Sequence, residues 1–110
     1  MSKRAEGKTV AILAADGFEE VELTSPKEAL ENAGASTVIV SLEHGEIQAN
    51  QHRKHGIKVK VDKTLDEVKA DDFDAILIPG GLFNPDTLRQ SDKVLDFTSQ
   101  FFAQAKPVFS

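Results

Sequence analysis

Thr9-Val10-Ala11-Ile12-Leu13-Ala14 is a short, unbroken apolar run with polar residues before and after it. A strand with one wet face alternates polar and apolar residues. A run that is apolar throughout is buried on both faces, as in a parallel sheet. Thr37-Val38-Ile39-Val40 repeats the pattern downstream. Between the two, Ser25-Pro26-Lys27-Glu28 reads as a helix start. Ser25 suits the N-cap, Pro26 the first helical position, and Glu28 completes a capping box. Ala29, Leu30 and Ala33 give this helix a small apolar face, and Gly34 suits its C-terminal stop. Strand, helix, strand is a βαβ unit, and such units cross over right-handed.

Working outward, residues 46 to 61 hold two alternating segments around a polar tip, Gln51-His52-Arg53-Lys54-His55. Ile57-Lys58-Val59-Lys60-Val61 alternates cleanly, so the pair is predicted to be an antiparallel hairpin beside the main sheet. Leu65-Asp66-Glu67-Val68 reads as a short helical turn. Asp74-Ala75-Ile76-Leu77-Ile78 is a third buried strand, cut off by Pro79-Gly80-Gly81. Asn84-Pro85 caps a short helix. A longer helix begins at Ser91, with Val94, Leu95, Phe101, Phe102 and Ala105 as its expected apolar stripe. Lys106-Pro107-Val108-Phe109-Ser110 opens another strand. Strands alternating with helices predict a single α/β domain over residues 1–110: a doubly wound, mostly parallel sheet with helices on both faces, plus the hairpin. Ligand sites in such sheets lie at the carboxyl ends of the strands. Here those ends are Ala15 to Glu22, Pro79 to Asn84, and whatever follows Ser110.

Hydrophobic residues make up 40% of the chain and charged residues 28%, which is a globular composition. A net charge of −5 argues against nucleic acid as a partner, which calls for clustered Lys and Arg. The single basic cluster, at the hairpin tip, reads as a solvated turn. There are no cysteines, so disulfides and thiolate metal sites are excluded for these residues. No apolar run is long enough to span a membrane, and no signal-peptide core precedes Thr9; a cytoplasmic location is the expectation. His44, His52 and His55 all fall in the hairpin region without a carboxylate cluster beside them. They read as surface histidines, so no metal and no cofactor is expected.

Two segments could carry chemistry. Asp16-Gly17-Phe18-Glu19-Glu20-Val21-Glu22 follows the first strand and holds four acids. It reads either as a solvated acidic turn that favours a helix N-terminus, or as a functional loop. Interleaved Phe18 and Val21 favour the second reading, because they should pin the segment to the core. A carboxyl held against apolar surface stays protonated more readily, and can then donate a hydrogen bond to an anion. Pro79-Gly80-Gly81 reads either as an ordinary strand-to-helix turn, or as a place where backbone N–H groups approach a ligand and form part of an oxyanion hole. It is not a phosphate-binding loop, since no P-loop Lys follows.

Together, three segments resemble the signatures of the ThiJ/PfpI superfamily, and the intracellular-protease-I branch of it most of all. The first is Ala14-Ala15-Asp16-Gly17-Phe18-Glu19-Glu20-Val21-Glu22-Leu23 with Pro26. The second is Asp72-Phe73-Asp74-Ala75-Ile76-Leu77-Ile78-Pro79-Gly80-Gly81, and the third is Lys106-Pro107-Val108-Phe109. The resemblance implies a flavodoxin-like, class I glutamine amidotransferase-like fold. It implies a cysteine-dependent enzyme acting on small carbonyl compounds or peptides, as a peptidase or as a deglycase or glyoxalase in stress protection. By position, Glu22 becomes the carboxyl that hydrogen-bonds the catalytic thiolate. Gly80 or Gly81 becomes the oxyanion amide, and Asp86 the acid that reaches a neighbouring subunit, so a homodimer or larger assembly is implied.

The chain departs from the family pattern at its end. The nucleophilic cysteine, usually followed by a histidine, is expected just beyond Ser110, and the domain is expected to continue past it. Ser110 lacks the glycines of a nucleophile elbow and does not replace the cysteine. A non-enzymatic stress or redox-sensing protein on the same fold is the rival reading. A flavin carrier is disfavoured, because the acidic first loop would repel a phosphate.

Overall fold

The computed structural model describes residues 6–51, 54–79 and 92–109. The run at the N-terminus is strand β1 (Thr9–Leu13), and the chain then makes a two-residue strand, β2 (Phe18–Glu19), before helix α1 (Glu20–Asn32). Strands β3 (Ser36–Ser41), β4 (Glu46–Gln51), β5 (Lys54–Lys60) and β6 (Lys63–Thr64) follow, then two single 3-10 turns at Leu65–Glu67 and Ala70–Asp72. Strand β7 (Ala75–Leu77), helix α2 (Asp92–Ala103) and strand β8 (Val108–Phe109) complete the described elements.

The strands form a five-stranded sheet in the order β6-β3-β1-β7-β8 and a three-stranded one in the order β2-β4-β5. Every pairing in the larger sheet is parallel. Its register carries the period-2 alternation across the whole width. Ile39, Ile12 and Leu77 share one row, with Phe109 at its end, and Val38, Ala11, Ile76 and Val108 the next. The first row faces α1 and the hairpin, where Leu23, Leu30, Ile47 and Val59 pack. The second faces α2, where Phe73, Val94, Phe97 and Phe101 pack. β1 is therefore apolar from Val10 to Leu13, because both of its faces are covered there. This is the doubly wound, flavodoxin-like sheet expected from the sequence.

Three local expectations need correction. Helix α1 starts at Glu20, five residues before the predicted Ser25 N-cap, and Pro26 lies inside it. Glu20 and Glu22 fill its first turn, where negative charge is favoured by the helix dipole. The stop at Gly34 is as predicted: φ is 97°, Gly34 N–H donates to the Glu31 carbonyl (3.0 Å) and Ala35 N–H to that of Leu30 (2.9 Å), a Schellman motif. On α2 the buried stripe is Val94, Phe97 and Phe101, while Leu95 (55% exposed) and Phe102 (67%) face outward. Phe97 belongs to the i, i+3, i+7 series that starts at Val94, and its ring meets Phe101 edge-on at 5.1 Å. Ala105 is not part of the stripe, because the helix has already ended. The expected helix at Asn84-Pro85 lies outside the described residues.

Candidate active site at the carboxyl ends of the parallel strands

β1 delivers the buried Ala14 and Ala15 to the top of the sheet, and Ala14 N–H still donates to the Val40 carbonyl at 3.1 Å. The chain then turns at Asp16-Gly17. Gly17 has φ of 90°, a region that side-chain-bearing residues rarely adopt. Phe18 is fully buried and anchors the loop. β2 pairs in parallel with β4, Phe18 opposite Ala49 and Glu19 opposite Asn50. The acidic loop is thus the edge strand of the hairpin's own sheet, and it runs directly into α1.

This loop gives its four acids different tasks. Asp16 Oδ1 accepts the Gln48 N–H at 2.8 Å, and Glu20 Oε1 accepts the Ile57 N–H at 2.8 Å. Glu19 is half-buried on β2. Glu22 is exposed and has no hydrogen-bond or ion-pair partner among the described residues. Val21 is 60% exposed, so of the two residues expected to pin the segment, only Phe18 does. The apolar cover expected around Glu22 is accordingly absent among the described residues. Pro26 adds a local feature: it has no N–H, so the Glu22 carbonyl lacks its i+4 helical donor.

β7 lies between β1 and β8, so the carboxyl ends of three parallel strands come out side by side. Ile12, Leu77 and Phe109 are in register across them. Neighbouring strands lie about 4.8 Å apart, so the β1 and β8 ends are separated by roughly 10 Å. Ala15, Ile78-Pro79 and the end of β8 therefore lie along one edge of the sheet, at the point where strand order reverses, the usual ligand position in such sheets. Pro79 is fully buried at this edge. Gly80, Gly81 and Asp86 lie outside the described residues. His44 is exposed and its Nε2 lies 2.7 Å from Glu67 Oε1. Glu67 is held below the usual carboxylate range, chiefly by the Thr64 backbone N–H, with the His44 charge assisting. His52 and the side chain of His55 lie outside the described residues. No group of three or more His, Asp or Glu among the described residues is placed to hold a metal. No described helix is long and apolar enough to cross a membrane.

A doubly wound parallel sheet whose strand order reverses beside an acidic strand-to-helix loop defines a flavodoxin-like α/β protein. The DJ-1/PfpI family model matches residues 8–110, and the chain belongs to that family. It is 48% identical over 103 residues to the Bacillus subtilis protein named "Putative cysteine protease YraA", covering 94% of this chain and 59% of that protein. General stress protein 18 of Bacillus subtilis is 38% identical over 104 residues, with the same coverage. Among solved structures, oxidised Toxoplasma gondii DJ-1 superposes with a TM-score of 0.78 at 31% identity, over 93% of this chain and 54% of that one. A two-domain Anabaena variabilis protein with a DJ-1/ThiJ/PfpI-like domain superposes with a TM-score of 0.82 at 31% identity, over 92% of this chain and 28% of that one. The chain thus spans 59% of the length of each of the two Bacillus relatives.

Proposed function

We propose that this chain forms the N-terminal part of a cysteine-dependent enzyme that attacks electrophilic carbonyl carbons, in small carbonyl compounds or in peptides. The observation that carries the reading is the alignment of three strand ends, β1, β7 and β8, at one edge of the sheet. In this reading β8 leads into the turn that bears the thiol, beyond Ser110. Residues Gly80 and Gly81 supply a backbone N–H to the oxyanion. Glu22, protonated, donates to the thiolate once further chain or a second subunit covers it, and Asp86 reaches the site of a neighbouring subunit. A thiolate adds to a carbonyl carbon, and fixed donors stabilise the oxygen that takes up the electron pair. Val21 and Ile57, both exposed, lie on the two elements that the Glu20 hydrogen bond joins, and are suited to a self-association surface in a homodimer. A cytoplasmic location goes with this reading.

The relative named a general stress protein favours a second reading, in which the thiol senses oxidants without turnover. One experiment separates the two. The coding sequence is read on past Ser110, the whole product is expressed, and its thiol is titrated with iodoacetamide. The product is then assayed with methylglyoxal and with a fluorogenic peptide. Turnover abolished by Cys→Ser supports the enzyme. A reactive thiol without turnover of either substrate supports the sensor, and the absence of any cysteine after β8 overturns both.

A further inference from the structure

The hairpin ladder is broken where it passes the acidic loop. β4 and β5 pair regularly from Glu46 opposite Lys60 to Gln48 opposite Lys58, and again at Asn50 opposite His55, with an irregularity between Gln48 and Asn50. Such a bulge leaves backbone groups without ladder partners. The acidic loop and side chains supply partners around it: Gln48 turns its backbone to the loop, on the side of β4 away from β5, and Ile57 lies at the irregularity itself. The Gln48 N–H goes to the Asp16 carboxylate, the Gln48 carbonyl accepts from Gly17 N–H at 2.9 Å, and the Ile57 N–H goes to the Glu20 carboxylate. Gln48 Nε2 donates to the Gly56 carbonyl inside the same gap. Each strand of the hairpin is therefore gripped by one carboxylate of the loop, through a charge-assisted bond stronger than a neutral one.

We propose that Asp16 and Glu20 are positioning residues of the candidate site: two carboxylate clamps, one on each hairpin strand, that lock the bulged hairpin to the start of α1 and hold the backbone that presents Glu22. This assignment of purpose rests on reading the loop as part of the active site; the clamp itself does not. The sequence alone could not separate these two acids from their neighbours. All four lie within seven residues, and only the hairpin's position shows that Asp16 and Glu20 are engaged, while the Glu19 and Glu22 carboxylates have no partner among the described residues.

The test is amide hydrogen exchange by NMR on the full 110-residue chain. Asp16→Ala is expected to speed exchange at the Gln48 amide, and Glu20→Ala at the Ile57 amide, each by about tenfold or more. Asp16→Asn and Glu20→Gln keep an oxygen acceptor and are expected to restore most of the protection. The Ile39 amide on β3, held at 2.8 Å by the Asp62 carboxylate, serves as the reference and should not move. Glu22→Gln should leave all three amides unchanged, so a failed activity test of Glu22 and a failed clamp are told apart. If an alanine variant does not melt cooperatively, Glu20→Asp carries the same expectation at Ile57, because it keeps the charge and shortens the reach. Exchange at Gln48 and Ile57 within about threefold of the parent in the alanine variants, or equal acceleration at Ile39, would overturn the proposal.

Discussion

Glu22 is exposed in the first turn of α1, two residues from an acid that is locked to the hairpin. Its proposed role therefore makes a sharp prediction. In the cysteine-bearing enzyme, Glu22→Gln changes the pH at which the thiol becomes reactive to iodoacetamide, and Glu19→Gln leaves it in place. Identical thiol titrations in the two variants would remove Glu22 from the mechanism. A second residue offers a test of stability. Ala105 has φ of 56° and sits at the left-handed position after α2, where Ala105 N–H bonds the Phe102 carbonyl (3.0 Å) and Lys106 N–H that of Phe101 (2.9 Å). This repeats the Schellman geometry at Gly34, but with a Cβ in the unfavourable region. Ala105→Gly is expected to stabilise the fold by roughly 0.5–1 kcal/mol, less than the full left-handed penalty because glycine loses more entropy on folding. A urea melt that shows no gain would count against it.

Among the elements, α2 shows how an apolar stripe can be read too wide: Val94 and Phe101 are buried as expected, Leu95 and Phe102 are not. Leu95 and Phe102 are seven apart, as are Val94 and Phe101, so the sequence offers two candidate stripes. Phe97 decides between them, since it extends only the Val94 series and meets Phe73 edge-on at 6.1 Å. Phe97→Ala is expected to cost about 3–5 kcal/mol, and Leu95→Ala less than about 0.5 kcal/mol, in chemical denaturation. The end of α1 carries an electrostatic counterpart. Glu31 is held below its ordinary value of 4.5, first by the Lys27 hydrogen bond and then by the Thr37 hydroxyl at 3.0 Å. A carboxyl depressed on folding adds stability above its unfolded pKa and loses it as pH falls through the folded one. Thr37→Val should therefore raise the Glu31 titration midpoint, followed by carbon-detected NMR. In the variant, less stability should be lost as pH falls through the Glu31 titration.

For the molecule as a whole, β8 is an edge strand of the larger sheet among the described residues. Its Phe109 is 52% exposed at the end of an otherwise buried row, and Leu95 and Phe102 are exposed on α2. Unpaired edge amides beside exposed apolar side chains favour association. Residues 1–110 are thus expected to self-associate as concentration rises in sedimentation velocity, and Phe109→Lys to reduce it. A concentration-independent monomer would contradict this. A net charge of −5 opposes the association, so it should strengthen as salt screens the charge.

The parallel sheet was legible in the sequence because burial on both faces leaves a local mark: uninterrupted apolar runs at Thr9–Ala14, Thr37–Val40 and Ala75–Ile78. The stop of α1 at Gly34 was legible for a similar reason, since a left-handed residue is a chain-local demand. The start of α1 was not. Ser25-Pro26 has better local capping chemistry than Glu19-Glu20, but Leu23 has a fully buried place against the sheet, and its packing carries the helix back through a proline. Nor could the sequence show which acids of the loop are engaged. That depends on where a bulged hairpin, some thirty residues further on, presents its unpaired amides. Local steric and burial requirements are written in neighbouring residues, whereas the partners of a charged side chain are chosen by elements that only the folded chain brings together.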